Sequence, residues 1–118
     1  TKRDYHCYLL IYIFVSSINL TKIERRLWRS SFKSAKAAIT VTDSDGSPVS
    51  GVQVNGSWSG AAAGEDRGTT NADGIVIFTS SRTLTRSEKT FTITITSVKG
   101  SSLPVDLTVG ETSDSVTF

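Results

Sequence analysis

Three aspartates in turn-forming segments are the side chains best suited to bind a metal ion. Asp43 and Asp45 stand in Asp-Ser-Asp-Gly, and Asp73 stands in Asn-Ala-Asp-Gly. This spacing is similar to the start of an EF-hand Ca²⁺ loop, but the twelfth position counted from Asp43 is Val54 instead of glutamate. Calcium binding and simple turn formation are both open for these aspartates, and we expect no cofactor.

Trp58 is the main candidate for contact with a ligand. Asn55 precedes it, and the small residues of 59–64, beginning at Ser59, follow it. An aromatic ring beside a flexible loop is suited to hold a sugar or a peptide, so Trp58, Asn55 and Ser59 form a candidate binding site. The alternative is a core tryptophan, because Trp58 continues the strand face of Val54.

Catalytic side chains are scarce in this sequence. The only histidine is His6 and the only cysteine is Cys7. They provide neither a catalytic triad nor four zinc ligands, and one cysteine excludes an internal disulfide. We therefore predict that the chain is not an enzyme.

From residue 37 onwards, apolar residues alternate with threonine and other polar residues, which is the period of a half-buried β-strand. A continuous apolar run at 75–78 predicts a strand near the middle of the sandwich, and Gly, Asn, Asp and Pro supply the turns. The alternation predicts further strands around 39–41, 52–54, 91–95, 105–109 and 116–118. The sequence therefore predicts an all-β domain over 37–118, an immunoglobulin-like antiparallel β-sandwich of six or seven strands.

Residues 1–36 differ from this pattern, and we expect a non-domain segment that is disordered or a short helix. The apolar run 8–15 is typical of a signal-peptide core, and its extension to residue 20 approaches a membrane anchor. A non-native flank is the alternative. Residues 21–36 indicate either an amphipathic helix at a membrane surface or a basic linker. No methionine occurs in the sequence, so we expect a fragment or a processed chain.

Charge is divided unevenly along the chain. Residues 1–36 contain eight Lys and Arg against two acidic residues, whereas the remainder contains five against nine. The β part is therefore unlike a surface that neutralises phosphates, and we expect no nucleic-acid partner. The loop 80–89 carries three cations and one anion, which fits a docking surface or an ordinary solvated loop.

Three segments resemble the bacterial Ig-like accessory domains that are appended to secreted subtilisin-like proteases and surface proteins. They are VTDSDGSPVSGVQVNGSWSG at 41–60, GTTNADGIVIF at 68–78 and FTITITSV at 91–98. The likeness covers residues 37–100, and its D-x-x-G-x-P-V-x-G-V-x-V core is shared with carboxypeptidase-regulatory-like and Cna-B-like sandwich modules.

The resemblance implies a non-catalytic accessory module, secreted or at the cell surface, that acts as a spacer or docking domain. Its expected partner is a neighbouring domain of the parent protein or another extracellular protein. The alternative is a carbohydrate or cell-wall-binding module that uses Trp58 and its loop. We expect membrane contact only through residues 8–20, if that segment is native.

Overall fold

Eight β-strands form the regular structure of residues 11–118, the part of the chain that the computed structural model describes. In chain order they are β1 (Ile13–Arg26), β2 (Ser31–Asp43), β3 (Gln53–Gly60), β4 (Gly64–Thr69), β5 (Ile75–Thr79), β6 (Thr83–Thr85), β7 (Thr90–Lys99) and β8 (Ser113–Thr117). They make two antiparallel sheets. The prediction of an all-β antiparallel sandwich is confirmed, with eight strands in place of six or seven.

The first sheet has the order β1-β2-β5, with β6 also paired to β2, and the second has the order β4-β3-β7-β8. Strands β1 and β2 form a long hairpin whose register runs from Ile13 opposite Asp43 to Arg26 opposite Ser31. Strand β5 lies at an edge of its sheet, and Ile77 is 47% exposed. The expectation that β5 lies near the middle was therefore wrong.

The core lies between the two sheets and is built mainly from alternate residues of β2, β3, β5 and β7 and of the first part of β1. Alternation buries these positions because successive side chains of a strand point to opposite faces. Burying one such side chain contributes about 1.5–3 kcal/mol relative to leaving it exposed. The largest fully buried side chains are Phe91, Ile13, Ile39, Ile93, Val15, Val41, Val52 and Val54.

The domain boundary expected at residue 37 does not exist in the structure. Residues 13–26 and 31–36 are strand, neither disordered nor helical, and Ile13, Val15 and Ile18 belong to the core. The alternation on β1 was hidden because residues 13–15 are apolar at every position and the hairpin end is basic. Residues 13–20 are therefore half of a core strand, which corrects the signal-peptide and membrane-anchor interpretation for them. Residues 8–10 lie outside the described residues, as do His6 and Cys7.

The predicted strand at 105–109 is also wrong, because the chain between β7 and β8 runs as a loop along the free edge of β1. The Ile13 amide donates to the Pro104 carbonyl (2.9 Å), and the Glu111 amide donates to the Val15 carbonyl (2.9 Å). The loop thus occupies backbone groups that an exposed edge strand would offer to another chain.

This loop also explains why the start of β1 is apolar on both faces. Tyr12 and Phe14 lie on the face opposite the core, half-buried, with ring centroids 5.8 Å apart. Gly110 (φ 81°) approaches so closely that a Cβ there would lie 2.8 Å from Phe14 Cδ2 and would collide with the Val15 carbonyl. A strand packed on both faces has a continuous apolar sequence, which is the pattern that resembled a signal peptide.

Candidate functional site

Trp58 lies in the core and is 4% exposed. Its Nε1 donates to Asp66 Oδ2 on the neighbouring strand β4 (2.9 Å), so the polar atom of the indole is satisfied inside the domain. The core alternative is therefore the one that the structure supports. The indole face is not available for stacking on a sugar or a peptide, and this corrects the candidate site at Trp58.

Asn55 and Ser59 lie on the other face of β3 from Trp58, because they are an odd number of residues away from it. Asn55 is half-buried, and its Oδ1 has no hydrogen-bond partner among residues 11–118. Ser59 is exposed, and four residues of strand place it about 13 Å from Asn55. The structure therefore does not bring the three predicted ligand residues together.

The aspartate segments act as turns. Asp43 Oδ1 accepts from the amides of Asp45 and Ser47, both at 2.9 Å. In the second turn Asn71 Oδ1 accepts from the amide of Asp73 (2.9 Å). Within residues 11–118 no group of three or more His, Cys, Asp or Glu side chains is placed to hold a metal ion. Turn formation accounts for both Asp-containing motifs.

Cationic side chains gather at one end of the sandwich, which we call the basic end and define as residues 22–33 of the β1–β2 hairpin together with residues 82–89. Strand β6 brings the two segments together, since Thr83 pairs with Lys33 and Thr85 pairs with Ser31. The basic end contains two carboxylates, Glu24 and Glu88, and eight cations, Lys22, Arg25, Arg26, Arg29, Lys33, Arg82, Arg86 and Lys89.

The hairpin turn at the basic end presents two apolar side chains to solvent. The Leu27 amide donates to the Ser30 carbonyl (2.8 Å), which closes the turn with Trp28 and Arg29 at its centre. Trp28 is 88% exposed and Leu27 is 44% exposed. The Arg29 guanidinium lies 4.4 Å from the Trp28 ring centroid, in the range of a cation–π contact. This turn therefore combines a large apolar surface with a positive charge.

The flank of the hairpin repeats this mixture of apolar and cationic groups. Arg25 lies opposite Phe32, and Phe32 lies opposite Leu84 of β6, so the three form a row across the strands. Arg82 stacks over the Phe32 ring at 4.8 Å, and Leu84 is 56% exposed. On the other face a cavity of about 240 Å³ is lined by groups that include Arg26, Arg29 and Arg86 and one carboxylate, Glu24. An anionic group would find several guanidinium groups there.

Lys33 fixes the basic end to the sandwich. It is 8% exposed, and its Nζ donates to the backbone oxygens of Phe118 (2.6 Å) and Ser87 (3.2 Å). Lys22 and Lys33 both lie near the Phe118 ring, at 5.8 and 5.4 Å from its centroid. A buried ammonium group with two backbone-oxygen partners holds β2, the loop before β7 and the end of β8 in one arrangement.

The opposite end of the molecule is acidic. Asp43 lies across from Ile13 at the start of the hairpin, the amide of Asp106 donates to the carbonyl of Ile13 (3.0 Å), and Asp45 and Asp73 belong to the turns beside them. The hydroxyl and the amide of Thr108 both donate to Asp106 Oδ1 and hold the pKa of that carboxyl below its usual range. Lys99, which pairs with Gln53 at the start of β3, is a cation at this same end. Acidic side chains therefore exceed basic ones at this end, and basic side chains exceed acidic ones at the basic end.

No protein-family model, curated protein or solved structure matches this chain. Within residues 11–118 no helix has the length and apolarity needed to cross a bilayer. The sequence predicts only part of the basic end. It offers the loop 80–89 as a docking surface, but the contact of this loop with the hairpin depends on strand pairing between distant residues. The signal in the sequence was the run Arg25-Arg26-Leu27-Trp28-Arg29.

The outer face of the second sheet is a separate surface, rich in hydroxyl groups. Threonines of β7 pair with hydroxyl residues of β8 across the strands. The oxygen distances are 2.8 Å for Thr90–Thr117, 2.7 Å for Thr92–Ser115 and 3.4 Å for Thr94–Ser113. These pairs stabilise the sheet and also present donors and acceptors to solvent.

Proposed function

We propose that the chain is a non-catalytic docking module of a secreted or cell-surface protein, and that its basic end makes the contact. The observation that carries this proposal is Trp28, 88% exposed on a closed turn among cations. Tryptophan and arginine are enriched at binding surfaces, where a large apolar area and a planar charged group become covered together. The secreted or surface location is supported by the resemblance of residues 37–100 to extracellular accessory domains.

The non-catalytic part of the proposal rests on how the polar side chains are used. Of the buried polar groups, Lys33, Thr70 and Ser80 are engaged with backbone atoms. Their hydrogen bonds tie strands and loops together, which is a structural use. The one histidine, His6, lies outside the described residues.

Binding of the full chain to poly-L-glutamate, measured by titration calorimetry, tests whether the basic end binds an acidic partner. In the test variant Arg25, Arg26 and Arg29 are each changed to Gln. In the matched control Lys36, Arg67 and Lys99, which are exposed and lie elsewhere, are each changed to Gln. Both variants lose three charges. We expect the test variant to lose at least about tenfold in affinity and the control to lose much less, because Coulomb attraction is local at physiological salt. Equal losses would show that net charge alone directs binding and would reject the proposal.

A second candidate function is binding of a carbohydrate or cell-wall polymer. Trp58 does not favour it, since the indole is buried. The hydroxyl pairs of β7 and β8 favour it, because a saccharide can form hydrogen bonds with a row of hydroxyl groups. A glycan array tests it with the chain and the double variant Thr92→Val, Thr94→Val. Binding that the double variant abolishes would favour this function, and binding by neither protein would exclude it for the glycans on the array.

A further inference from the structure

We propose that the partner of the basic end is the surface of an anionic phospholipid bilayer, with Leu27 and Trp28 entering the headgroup region. This inference rests on the proposed docking function and names the surface that is docked. The sequence indicated membrane contact through residues 8–20, or through an amphipathic helix over 21–36. The inference differs from both, because Leu27 and Trp28 lie on the turn of a β-hairpin and not on a helix.

The arrangement of apolar and charged groups favours a bilayer over a soluble polyanion. Leu27 and Trp28 form the turn itself, and Arg25 and Arg26 lie behind them on β1. A soluble polyanion is attracted to the cations but gains little from an apolar turn. A bilayer offers anionic headgroups above an apolar interior. The apolar turn would lie deepest in it, and the arginines behind the turn would lie at the level of the headgroups.

Arg29 strengthens this argument. Its guanidinium lies 4.4 Å from the Trp28 ring centroid, so the positive charge lies directly beside the indole. An arginine can bury its aliphatic part and keep its charged group among lipid phosphates. The indole is favoured at the same depth, because its apolar body and polar N–H suit the membrane–water interface.

The cavity of about 240 Å³ beside the turn is lined by Arg26, Arg29 and Arg86 and by one carboxylate, Glu24. The cations outnumber the carboxylate, so the cavity offers a place for a headgroup phosphate. Guanidinium groups bind phosphate oxygens in a bidentate manner. Exposed Leu84 (56%) and Ile23 (40%) add apolar area to the flanks of the same end. The acidic far end, with Asp43, Asp45, Asp73 and Asp106, is repelled by the same membrane and orients the molecule.

The experiment uses the full chain and vesicles of phosphatidylcholine with or without phosphatidylglycerol, some carrying brominated acyl chains that quench tryptophan at depth. Trp58 is shielded in the core, so quenching by these lipids reports Trp28. We expect quenching only with phosphatidylglycerol present, and its loss in Trp28→Phe. Changing Arg25, Arg26 and Arg29 to Gln should weaken vesicle binding by about 100-fold, since each basic residue near an anionic surface contributes about fivefold. The control with Lys36, Arg67 and Lys99 changed to Gln should lose far less.

Three other outcomes would overturn the inference. If poly-L-glutamate binds but vesicles do not, the docking function stands and the membrane partner is wrong. If phosphatidylglycerol vesicles bind without brominated-lipid quenching, contact is electrostatic and the turn does not enter the bilayer. If neither probe binds, the membrane partner and the docking function both fail.

Discussion

The two tryptophans of this chain mark two different regions, the packed middle of the sandwich and the basic end. Trp58 is 4% exposed and donates a hydrogen bond to Asp66, whereas Trp28 is 88% exposed and stacks with Arg29. Both belong to or adjoin long strands, so strand propensity does not distinguish them. What differs is whether a second sheet lies opposite. Trp58 faces the first sheet, and Trp28 lies on a turn beyond the paired core.

Strand β1 passes from one region to the other and shows the change within a single element. Its core-facing positions are apolar as far as Ile18 and Leu20, and then become charged at Lys22, Glu24 and Arg26. The change occurs beside the Phe118 ring, where the second sheet ends. A switch from apolar to charged residues at one strand face thus marks where the core stops, although the strand continues.

The largest effect should come from aromatic truncation in the packed middle. Phe91→Ala removes a fully buried ring and should cost about 3–5 kcal/mol of unfolding free energy, because a cavity remains where the ring was. Trp28→Ala removes a larger ring but should change stability by less than about 0.5 kcal/mol, because that ring is exposed. Chemical denaturation followed by circular dichroism measures both. A comparable loss for Trp28→Ala would mean that the turn packs on the domain and is not free to dock.

The border between the packed middle and the basic end is tested by Lys22 and Lys33, which both lie near the Phe118 ring. Lys33→Met leaves the backbone oxygens of Phe118 and Ser87 without their donor and should cost about 2 kcal/mol. Lys22→Met is the control, because Lys22 is exposed and should matter by less than about 0.5 kcal/mol. The same denaturation measurement decides. If the two substitutions cost the same, Lys33 is not the anchor that holds the basic end to the sandwich.

The packed middle was largely predictable from the sequence, because alternation after residue 37 depends only on local spacing. The β1–β2 hairpin was not predictable in this way, because half of β1 is covered on both faces and the other half extends beyond the core. The cover is the loop that bonds Pro104 and Glu111 to β1, about 90 residues away along the chain. No local pattern of apolar and polar residues predicts a contact between such distant segments. The sequence leaves a buried and an exposed Trp58 both open, and the 4% exposure of its side chain together with its hydrogen bond to Asp66 decides between them.

A smaller effect should follow from removing the hydrogen bond of the buried tryptophan. Asp66→Ala leaves the Trp58 N–H without its carboxylate acceptor and should cost about 1 kcal/mol. Asp66→Asn keeps an oxygen acceptor and should cost less. Fluorescence in a Trp28→Phe background isolates Trp58 during unfolding. If Asp66→Ala is as stable as Asp66→Asn, water replaces the acceptor and Trp58 is less enclosed than its burial indicates.

The smallest effect concerns the acidic end, and is a shift in titration rather than in stability. The Thr108 hydroxyl, and secondly its amide, lower the pKa of Asp106, and slight desolvation opposes them. Thr108→Val removes the hydroxyl and keeps the amide, so the Asp106 pKa should rise towards its usual range; carboxyl ¹³C shifts during an NMR titration measure it. Because the folded pKa is the lower one, the stabilisation is present above the unfolded pKa and disappears as pH falls through the folded pKa. Thr85→Val, at the basic end, is the control and should leave the Asp106 titration unchanged. An unchanged titration in Thr108→Val would mean that the hydroxyl does not lower the Asp106 pKa. The acidic end would then begin to lose its negative charge at a higher pH than the hydrogen bonds to Asp106 imply.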